Sequence, residues 1–318
     1  MLAAPLAVAP SVSAVPRDEP GPHESRSQCG LGPGRTTITI TSGSRDRTVV
    51  VHVPSTGEDA RALPLVLDLH GSNSTPNEEL MRTRLDQTAQ REGFIVAAPQ
   101  GAIPAPAGFV WNVPFTGTDV AGAPDDVAFL QDLIGTLVDG GCVDGSRVYA
   151  AGYSGGGRMV SQFACEHPEL VAAIAPVAGL RAGAPLTAGS AVPDPATCIP
   201  SRGVRVITFN GTADPVNPFA GGGAPYWGYG ALAASQRWAE INGCHTTKDT
   251  RVSPNVSLVT HRGCPQNAVV QQYVVNGGGH TWPGGNAAAF PGAGVTTQEI
   301  SANDLMWSFF EQGRLSRN

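Results

Sequence analysis

The sequence lacks the features that direct a protein to nucleic acids or into membranes. Of its 20 basic residues only Lys248 is a lysine, no run of basic residues occurs, and the formal net charge is −6. Nucleic-acid-binding proteins usually carry clustered positive charge, so we expect no nucleic-acid partner. No apolar run approaches the roughly 20 residues that a membrane-spanning helix needs. We therefore expect no membrane span.

A complete secretion signal is also missing, although residues 1–35 resemble one and are predicted to form a flexible leader. The apolar segment from Leu2 to Ala14 ends in a small-x-small cleavage pattern. A basic n-region is absent and Pro5 and Pro10 interrupt the segment, so an Ala/Pro-rich tail is the alternative. We expect a secreted, extracellular protein. Residues 36–318 are expected to form one catalytic domain, because no linker or internal repeat divides them.

Zinc and redox motifs are missing too, although the chain has six cysteines. No C-x-x-C pair occurs, so we expect neither a metal site nor a redox centre, and nothing calls for a cofactor. An even cysteine count beside a secretion signal is typical of disulfides, whose connectivity the sequence leaves open. Cys244 and Cys264 bracket a short polar segment and are the pair that we expect first. The other pairs that we predict are Cys29–Cys142 and Cys165–Cys198.

Segments with strand periodicity alternate with segments of helical periodicity from residue 36 onward. This alternation predicts an α/β fold, with a mostly parallel sheet and helices on both faces. The first two segments, 36–41 and 48–53, predict an antiparallel hairpin at a sheet edge. The other predicted strands are 64–69, 94–99, 147–151, 170–177, 204–209 and 269–275, and the predicted helices are 78–91, 125–138, 231–241 and 304–312.

The segment from Arg147 to Cys165 has the pattern of a nucleophile elbow. Small, β-prone residues lead into a G-x-S-x-G pentapeptide, Gly152 to Gly156, and apolar residues at helical spacing follow. A serine between such a strand and helix projects from a strained turn, and glycines two positions away on either side leave room for it. We therefore expect Ser154 to be a nucleophile, with a structural serine in a glycine turn as the alternative.

An acid and a base follow Ser154 in the order that such an elbow requires. Of the four histidines after Ser154, only His280 directly follows a predicted core strand, in a glycine-rich turn. Of the acids between the two, only Asp214 lies just past a core strand. We expect His280 to take the proton of Ser154 and Asp214 to fix the tautomer of the imidazole.

A His-Gly turn, His70 to Ser74, follows the predicted strand 64–69. Folds with a nucleophile elbow place half of the oxyanion hole in such a turn. We expect the backbone N–H groups of Ser72 and Gly155 to bind the oxyanion.

Loops rich in glycine carry five of the ten tryptophan and tyrosine residues. Trp111 lies in one such loop, Tyr226, Trp227 and Tyr229 lie in a second, and Trp282 follows the predicted base by two positions. We consider Trp111, Trp227 and Trp282 candidates for stacking on a substrate. Packing of the loops against one another is the alternative for each.

These motifs resemble those of the secreted esterases that include feruloyl esterases, acetylxylan esterases and poly(3-hydroxybutyrate) depolymerases. The likeness covers most residues from Cys29 to Phe310 and is carried by PLVLDLHGSNST, RVYAAGYSGGGRMVSQFACEHPELVAAIAPVAG, FNGTADPVNP and VVNGGGHTWPGG. It implies an α/β-hydrolase fold and the same three residues as a triad. Gly155 stands where many relatives have asparagine, and Asn210 where a histidine often precedes Gly-Thr. We expect these departures to change rate and substrate preference more than mechanism.

The sequence as a whole predicts a secreted serine carboxylic-ester hydrolase that acts through an acyl-enzyme. Many polyester depolymerases carry an extra module that adheres to the polymer, and no segment of this sequence resembles one. We therefore expect the substrates to be feruloyl or acetyl esters of plant cell walls. A poly(3-hydroxybutyrate)-type polyester is the alternative substrate. A serine peptidase would share the triad but usually adds a cap or propeller domain, and a non-catalytic binding protein would not need all three residues. We expect a monomer whose partner is an oligomeric or polymeric ester substrate.

Overall fold

Twelve strands and six α-helices occur in the part of the chain that the computed structural model describes, which is residue 1 and residues 30–55, 62–114, 122–224 and 226–316. Most of the predicted leader, residues 1–35, lies outside this part. The strands are β1 (Gly34–Ser42), β2 (Arg45–Val53), β3 (Leu63–Leu69), β4 (Ile95–Pro99), β5 (Ile103–Ala105), β6 (Gly108–Val110), β7 (Val143–Tyr153), β8 (Ala173–Val177), β9 (Arg205–Gly211), β10 (Thr246–Ser253), β11 (Val256–Arg262) and β12 (Val270–Val275). The α-helices are α1 (Pro76–Thr83), α2 (Leu85–Glu92), α3 (Asp126–Asp139), α4 (Gly155–Glu166), α5 (Ala231–Ile241) and α6 (Ala302–Phe310).

Ten of these strands form one sheet in the order β1-β2-β4-β3-β7-β8-β9-β12-β11-β10. The six central strands, β4 to β12 in this order, pair in parallel, and antiparallel pairs flank them at both ends. The mostly parallel sheet and the predicted edge hairpin are thus confirmed. Because parallel strands end at the same edge, loops after β3, β7, β9 and β12 meet there.

Helices cover both faces of the sheet and enclose two apolar cores. Side chains of α3, α4 and α5 contribute to one core, and those of α1, α2 and α6 contribute to the other. The central strands β4 and β8 are buried along their whole length, as strands covered on both faces must be. Among the described helices, none is long and apolar enough to cross a membrane.

One local prediction was wrong, and one hairpin was not predicted. The helix predicted over 78–91 is two helices, α1 and α2, because Arg84 takes a left-handed conformation with φ of 55° between them. The segment between Cys244 and Cys264 is a hairpin, β10 and β11, that extends the sheet beyond β12. Almost all side chains of β10 are exposed, so no alternation of apolar and polar residues marked it as a strand.

Two of the predicted disulfides are confirmed. Cys165–Cys198 joins the last turn of α4 to the loop before β9, and Cys244–Cys264 closes the base of the β10–β11 hairpin. Cys142 is also disulfide-bonded. Its predicted partner, Cys29, lies outside the described residues.

Candidate active site

The turn between β7 and α4 has the strained geometry of a nucleophile elbow. Ser154 has φ of 52° and ψ of −110°, a conformation that residues with a Cβ rarely adopt. Its N–H donates to the carbonyl of Val177 at 2.9 Å. A methyl group on Gly152 would lie 2.6 Å from the carbonyl carbon of Gly156, and one on Gly156 would lie 2.7 Å from the His70 carbonyl oxygen. Only glycine therefore fits at the two flanking positions.

The structure brings the side chains of Ser154, His280 and Asp214 together beyond the ends of β7, β12 and β9. The distance from His280 Nε2 to Ser154 Oγ is 2.8 Å, and that from His280 Nδ1 to Asp214 Oδ2 is 2.7 Å. With Nδ1–H donating to the carboxylate, Nε2 is left to accept the Ser154 hydroxyl proton. This is the arrangement that an acyl-transfer mechanism needs.

Backbone donors fix the orientation of the Asp214 carboxylate. Its Oδ1 accepts from the N–H groups of Val216 and Asn217, both at 2.8 Å. The Asn217 side chain in turn donates to the carbonyl of Ala178 at 2.7 Å. Oδ2 is thereby left facing the imidazole of His280.

Tyr153 holds the loop that carries His280, a role that the sequence did not reveal. Its hydroxyl donates to the His280 carbonyl at 2.6 Å, and the two rings lie 5.0 Å apart. Burial raises the pKa of Tyr153 far above its usual range, so the hydroxyl stays a donor. On the other side, the His280 N–H donates to the Ala293 carbonyl at 2.7 Å. The backbone of His280 is thus held from two sides.

The predicted oxyanion donors lie next to each other. A methyl group built on Gly155 would be 3.0 Å from the backbone nitrogen of Ser72, so the two backbones are in close contact. Within the described part of the chain, neither N–H donates a hydrogen bond. Gly155 also begins α4, whose positive N-terminal end favours negative charge. Two unpaired amides beside Ser154 can bind an oxyanion.

His70 anchors the loop that carries Ser72. Its Nε2 accepts from the N–H of Gly101 at 2.9 Å, so the ring proton is on Nδ1, which lies 2.8 Å from the carbonyl oxygen of Gly71. Burial lowers the pKa of His70 to about 4, and the ring is therefore neutral near pH 7. Trp111 fixes the same loop by donating from its indole N–H to the His70 carbonyl at 2.8 Å.

Two buried acids lie below this loop and were not predicted from the sequence. Glu79 Oε2 accepts from the Gly71 N–H at 3.3 Å, and Asp68 Oδ2 accepts from the hydroxyl of Thr83 at 2.9 Å. Burial raises the pKa of Asp68 to about 7. It also raises the pKa of Glu79 well above its usual range, and the nearby Asp68 charge adds to that effect. Glu79 therefore supports the loop mainly as a neutral acid.

The three tryptophans proposed to stack on a substrate do not line an open surface. Each is at most 1% exposed, so no ring face is available for stacking. Packing of the loops, the alternative considered above, accounts for all three, because each indole N–H is satisfied within the protein. Trp111 donates to His70, Trp227 to the carbonyl of Pro218 at 2.8 Å, and Trp282 to Asn303 Oδ1 at 2.9 Å.

Comparison with known proteins identifies the family of this chain. The model of the family described as "Esterase PHB depolymerase" matches residues 49–214. Feruloyl esterase B of Piromyces equi is 31% identical over 74% of this chain, and the chain spans 42% of that protein. The poly(3-hydroxybutyrate) depolymerase of Ralstonia pickettii is 23% identical over 81% of this chain, which spans 54% of it.

Solved structures identify the fold. An acetyl xylan esterase from Aspergillus awamori superposes with a TM-score of 0.62 at 18% identity, over 87% of this chain and 99% of that one. A thermostable esterase superposes with a TM-score of 0.56, also at 18% identity, over 88% of this chain and 63% of that one. With the mostly parallel sheet and the elbow after β7, the fold is that of the α/β-hydrolases, as predicted.

Proposed function

The chain belongs to the family of PHB depolymerase esterases, and we propose that it hydrolyses carboxylic esters through a triad of Ser154, His280 and Asp214. One observation carries this proposal: two short contacts, of 2.8 Å and 2.7 Å, connect the three side chains in order. A structural serine would need neither the imidazole nor the carboxylate behind it. The strain at Ser154 also fits a functional role, since strained residues cluster at active sites.

In the proposed acylation step, Ser154 Oγ attacks the ester carbonyl while His280 Nε2 takes its proton. The carbonyl oxygen becomes an oxyanion, which the N–H groups of Ser72 and Gly155 stabilise. Asp214 stabilises the imidazolium without taking its proton. The intermediate then collapses, the imidazolium protonates the leaving alcohol, and an acyl-enzyme remains.

Water completes the cycle in the proposed deacylation step. His280 removes a proton from the water molecule, whose oxygen attacks the acyl carbonyl. The second oxyanion collapses and Ser154 Oγ is the leaving group, which takes a proton from His280. The carboxylic acid is then released. Each cycle consumes one ester and one water and gives one acid and one alcohol, so no cofactor is needed.

For the substrate, we propose feruloyl or acetyl esters of plant cell walls. The relatives named above as a feruloyl esterase and an acetyl xylan esterase support this choice. The family description and the Ralstonia pickettii relative favour the alternative, a poly(3-hydroxybutyrate)-type polyester. Cys165–Cys198 and Cys244–Cys264 support our proposal that the protein is secreted, because disulfides persist outside the reducing cytosol. We further propose that it acts as a monomer.

A substrate panel tests these proposals. We expect turnover of p-nitrophenyl acetate but not of a peptide anilide, which separates an esterase from a peptidase. Methyl ferulate, acetylated xylan and a poly(3-hydroxybutyrate) film then separate the substrate classes, and we expect the first two to be hydrolysed faster. If only the film is degraded, the polyester alternative replaces the cell-wall assignment. If no ester is hydrolysed, the proposed function is wrong.

A further inference from the structure

Two buried arginines next to the proposed active site have no acidic partner among the residues that the structure describes. Arg158 and Arg181 are each 5% exposed. Within the described part of the chain, neither forms a salt bridge, whereas Arg47, which is equally buried, pairs with the buried Asp126 at 2.5 Å. Buried charges are normally paired, because removing a charge from water is costly. Because the described residues supply no acidic partner, the two guanidinium groups can take one from a ligand.

Arg158 contacts the oxyanion loop, residues 70–74, which carries the proposed oxyanion donor Ser72. It lies in the first turn of α4, four positions after Ser154, and its Nη2 donates to Ser72 Oγ at 3.2 Å. Its guanidinium stacks on the ring of Tyr226, 4.6 Å from the centroid. Its Nε has no hydrogen-bond partner among the described residues. One N–H of this arginine thus remains unsatisfied, while another nitrogen of the same guanidinium contacts Ser72.

Arg181, the second buried arginine, lies in the loop after β8. Its guanidinium lies over the rings of Tyr229 and Trp227, at 3.3 Å and 4.7 Å from their centroids. Its Nη1 donates to the Tyr229 carbonyl at 2.9 Å, but its Nη2 has no hydrogen-bond partner in the described chain. Trp227, a former candidate for substrate stacking, therefore lies behind a cation. Both aromatic rings hold the guanidinium in one orientation.

The two arginines line the same cleft. Burial and the neighbouring Arg158 charge lower the pKa of Arg181 to about 10, so both guanidinium groups still carry charge near pH 7. The cleft is narrow, which suits a small group better than an aromatic ring. It is lined by Arg158 and Arg181 together with Val113, Pro114, Gln162, Gly183, Ala184, Pro185 and Tyr226.

We infer that Arg158 and Arg181 form a binding site for a carboxylate that the ester substrate carries. A guanidinium pair matches the planar carboxylate, and the unsatisfied N–H groups supply donors for it. The contact from Arg158 to Ser72 places this site beside the oxyanion donors. The preferred substrates are then esters with a second, free carboxylate, such as half-esters of dicarboxylic acids or acylated hydroxy acids. This inference rests on the proposed function and narrows its substrate class.

Matched pairs of esters test the inference. On the acyl side, monomethyl glutarate is compared with methyl glutaramate, in which an amide replaces the carboxylate. On the alcohol side, 3-acetoxybutanoate is compared with 3-acetoxybutanamide. Each compound has one ester bond, so the ratio of kcat/KM for acid over amide reports recognition of the charge. We expect a ratio of at least about 10 in one of the two pairs, which corresponds to about 1.4 kcal/mol.

Substitutions test whether the two arginines cause the preference for the acid over the amide. Arg158→Gln and Arg181→Gln should each reduce the ratio toward one, and Arg181→Lys, which keeps the charge, should retain part of it. The control is Arg205→Gln, since Arg205 lies on Phe309, outside the lining of the cleft, and its loss should leave the ratio unchanged. Calorimetric titration of glutarate into Ser154→Ala protein adds a readout without catalysis. We expect saturable binding there, and none once Arg181→Gln is added.

The outcomes separate this inference from the proposed function. Wild-type ratios of one or less in both pairs, together with hydrolysis of p-nitrophenyl acetate, overturn the carboxylate site and leave the esterase standing. Absence of all hydrolysis overturns the esterase, and glutarate titration then decides the carboxylate site alone. A ratio that survives both arginine substitutions in folded protein also overturns the assignment.

Discussion

Ser154 and Ala178 both have positive φ angles, of 52° and 48°, which residues with a side chain rarely adopt. Such conformations cost about 1–3 kcal/mol each for residues with a side chain and persist only where the surroundings enforce them. Here the Ser154 N–H donates to Val177, and Asn217 donates to the Ala178 carbonyl. The strain therefore lies at Ser154 and next to the loop that orients Asp214.

The Asp214 carboxylate is predicted to contribute through the orientation and charge of His280. Asp214→Asn retains the size of the side chain but presents His280 with an amide in place of a charged acceptor. We expect kcat for p-nitrophenyl acetate to fall by about 10⁴-fold, with a smaller change in KM. The measurement is steady-state kinetics with circular dichroism as the control for folding. A loss below tenfold would show that another group orients the base.

The roles of some site residues were predictable from the sequence, and the roles of others were not. Ser154, Asp214 and His280 each follow a core strand, so their positions were predictable from the order of elements. Tyr153 and Glu79 act through side-chain contacts that no sequence pattern marks, and Tyr153 lies 127 positions from the residue that it holds. Only the folded chain brings such pairs together.

At the scale of elements, buried strands were predictable and exposed ones were not. The apolar segments of β3, β4 and β9 stand out because both of their faces are covered. The hairpin of β10 and β11 has little apolar content on its outer strand, so composition did not reveal it. The roles of the loop tryptophans were not predictable either, because sequence patterns do not show whether these side chains face a substrate or the interior.

Trp282 is predicted to stabilise the loop after β12 and not to contact substrate. The side chain is fully buried, and Trp282→Ala would leave a large cavity and an unpaired Asn303 oxygen. We expect a loss of about 3–5 kcal/mol in the free energy of unfolding, measured by denaturant titration. The values of kcat/KM for methyl ferulate and p-nitrophenyl acetate should change by the same factor. A selective increase of KM for methyl ferulate would show that Trp282 contacts the substrate.

The whole molecule combines a net charge of −6 with buried groups of both signs near one sheet edge. Asp68 and Glu79 are buried under the oxyanion loop, and Arg158 and Arg181 are buried beside it. The acids can become neutral by binding a proton, whereas the arginines keep their charge. The stability of the fold is therefore expected to depend on pH through the acids.

Asp68→Asn tests this pH dependence. The pKa of Asp68 is about 7 when folded and 3.8 in its ordinary state, so between these values the folded protein binds more protons than the unfolded chain. Its contribution to stability is therefore present below about pH 4 and is lost as the pH rises toward 7. We expect the unfolding free energy of Asp68→Asn protein to fall less over this range than that of the wild type.

Asp132→Asn is the matched control, because this aspartate is exposed on α3. Denaturant titrations at pH 4.5 and 7.5 should give the control protein the pH dependence of the wild type. Equal pH dependence in all three proteins would mean that the Asp68 carboxyl is not protonated in the folded state.

The central claim is that Ser154 is the nucleophile, and Ser154→Ala tests it most directly. The hydroxyl contacts His280 but fills little space, so the variant should fold normally and unfold at nearly the wild-type temperature. We expect kcat/KM for p-nitrophenyl acetate to fall by at least about a thousandfold. An activity close to that of the wild type, in protein shown to be folded, would contradict the proposed mechanism.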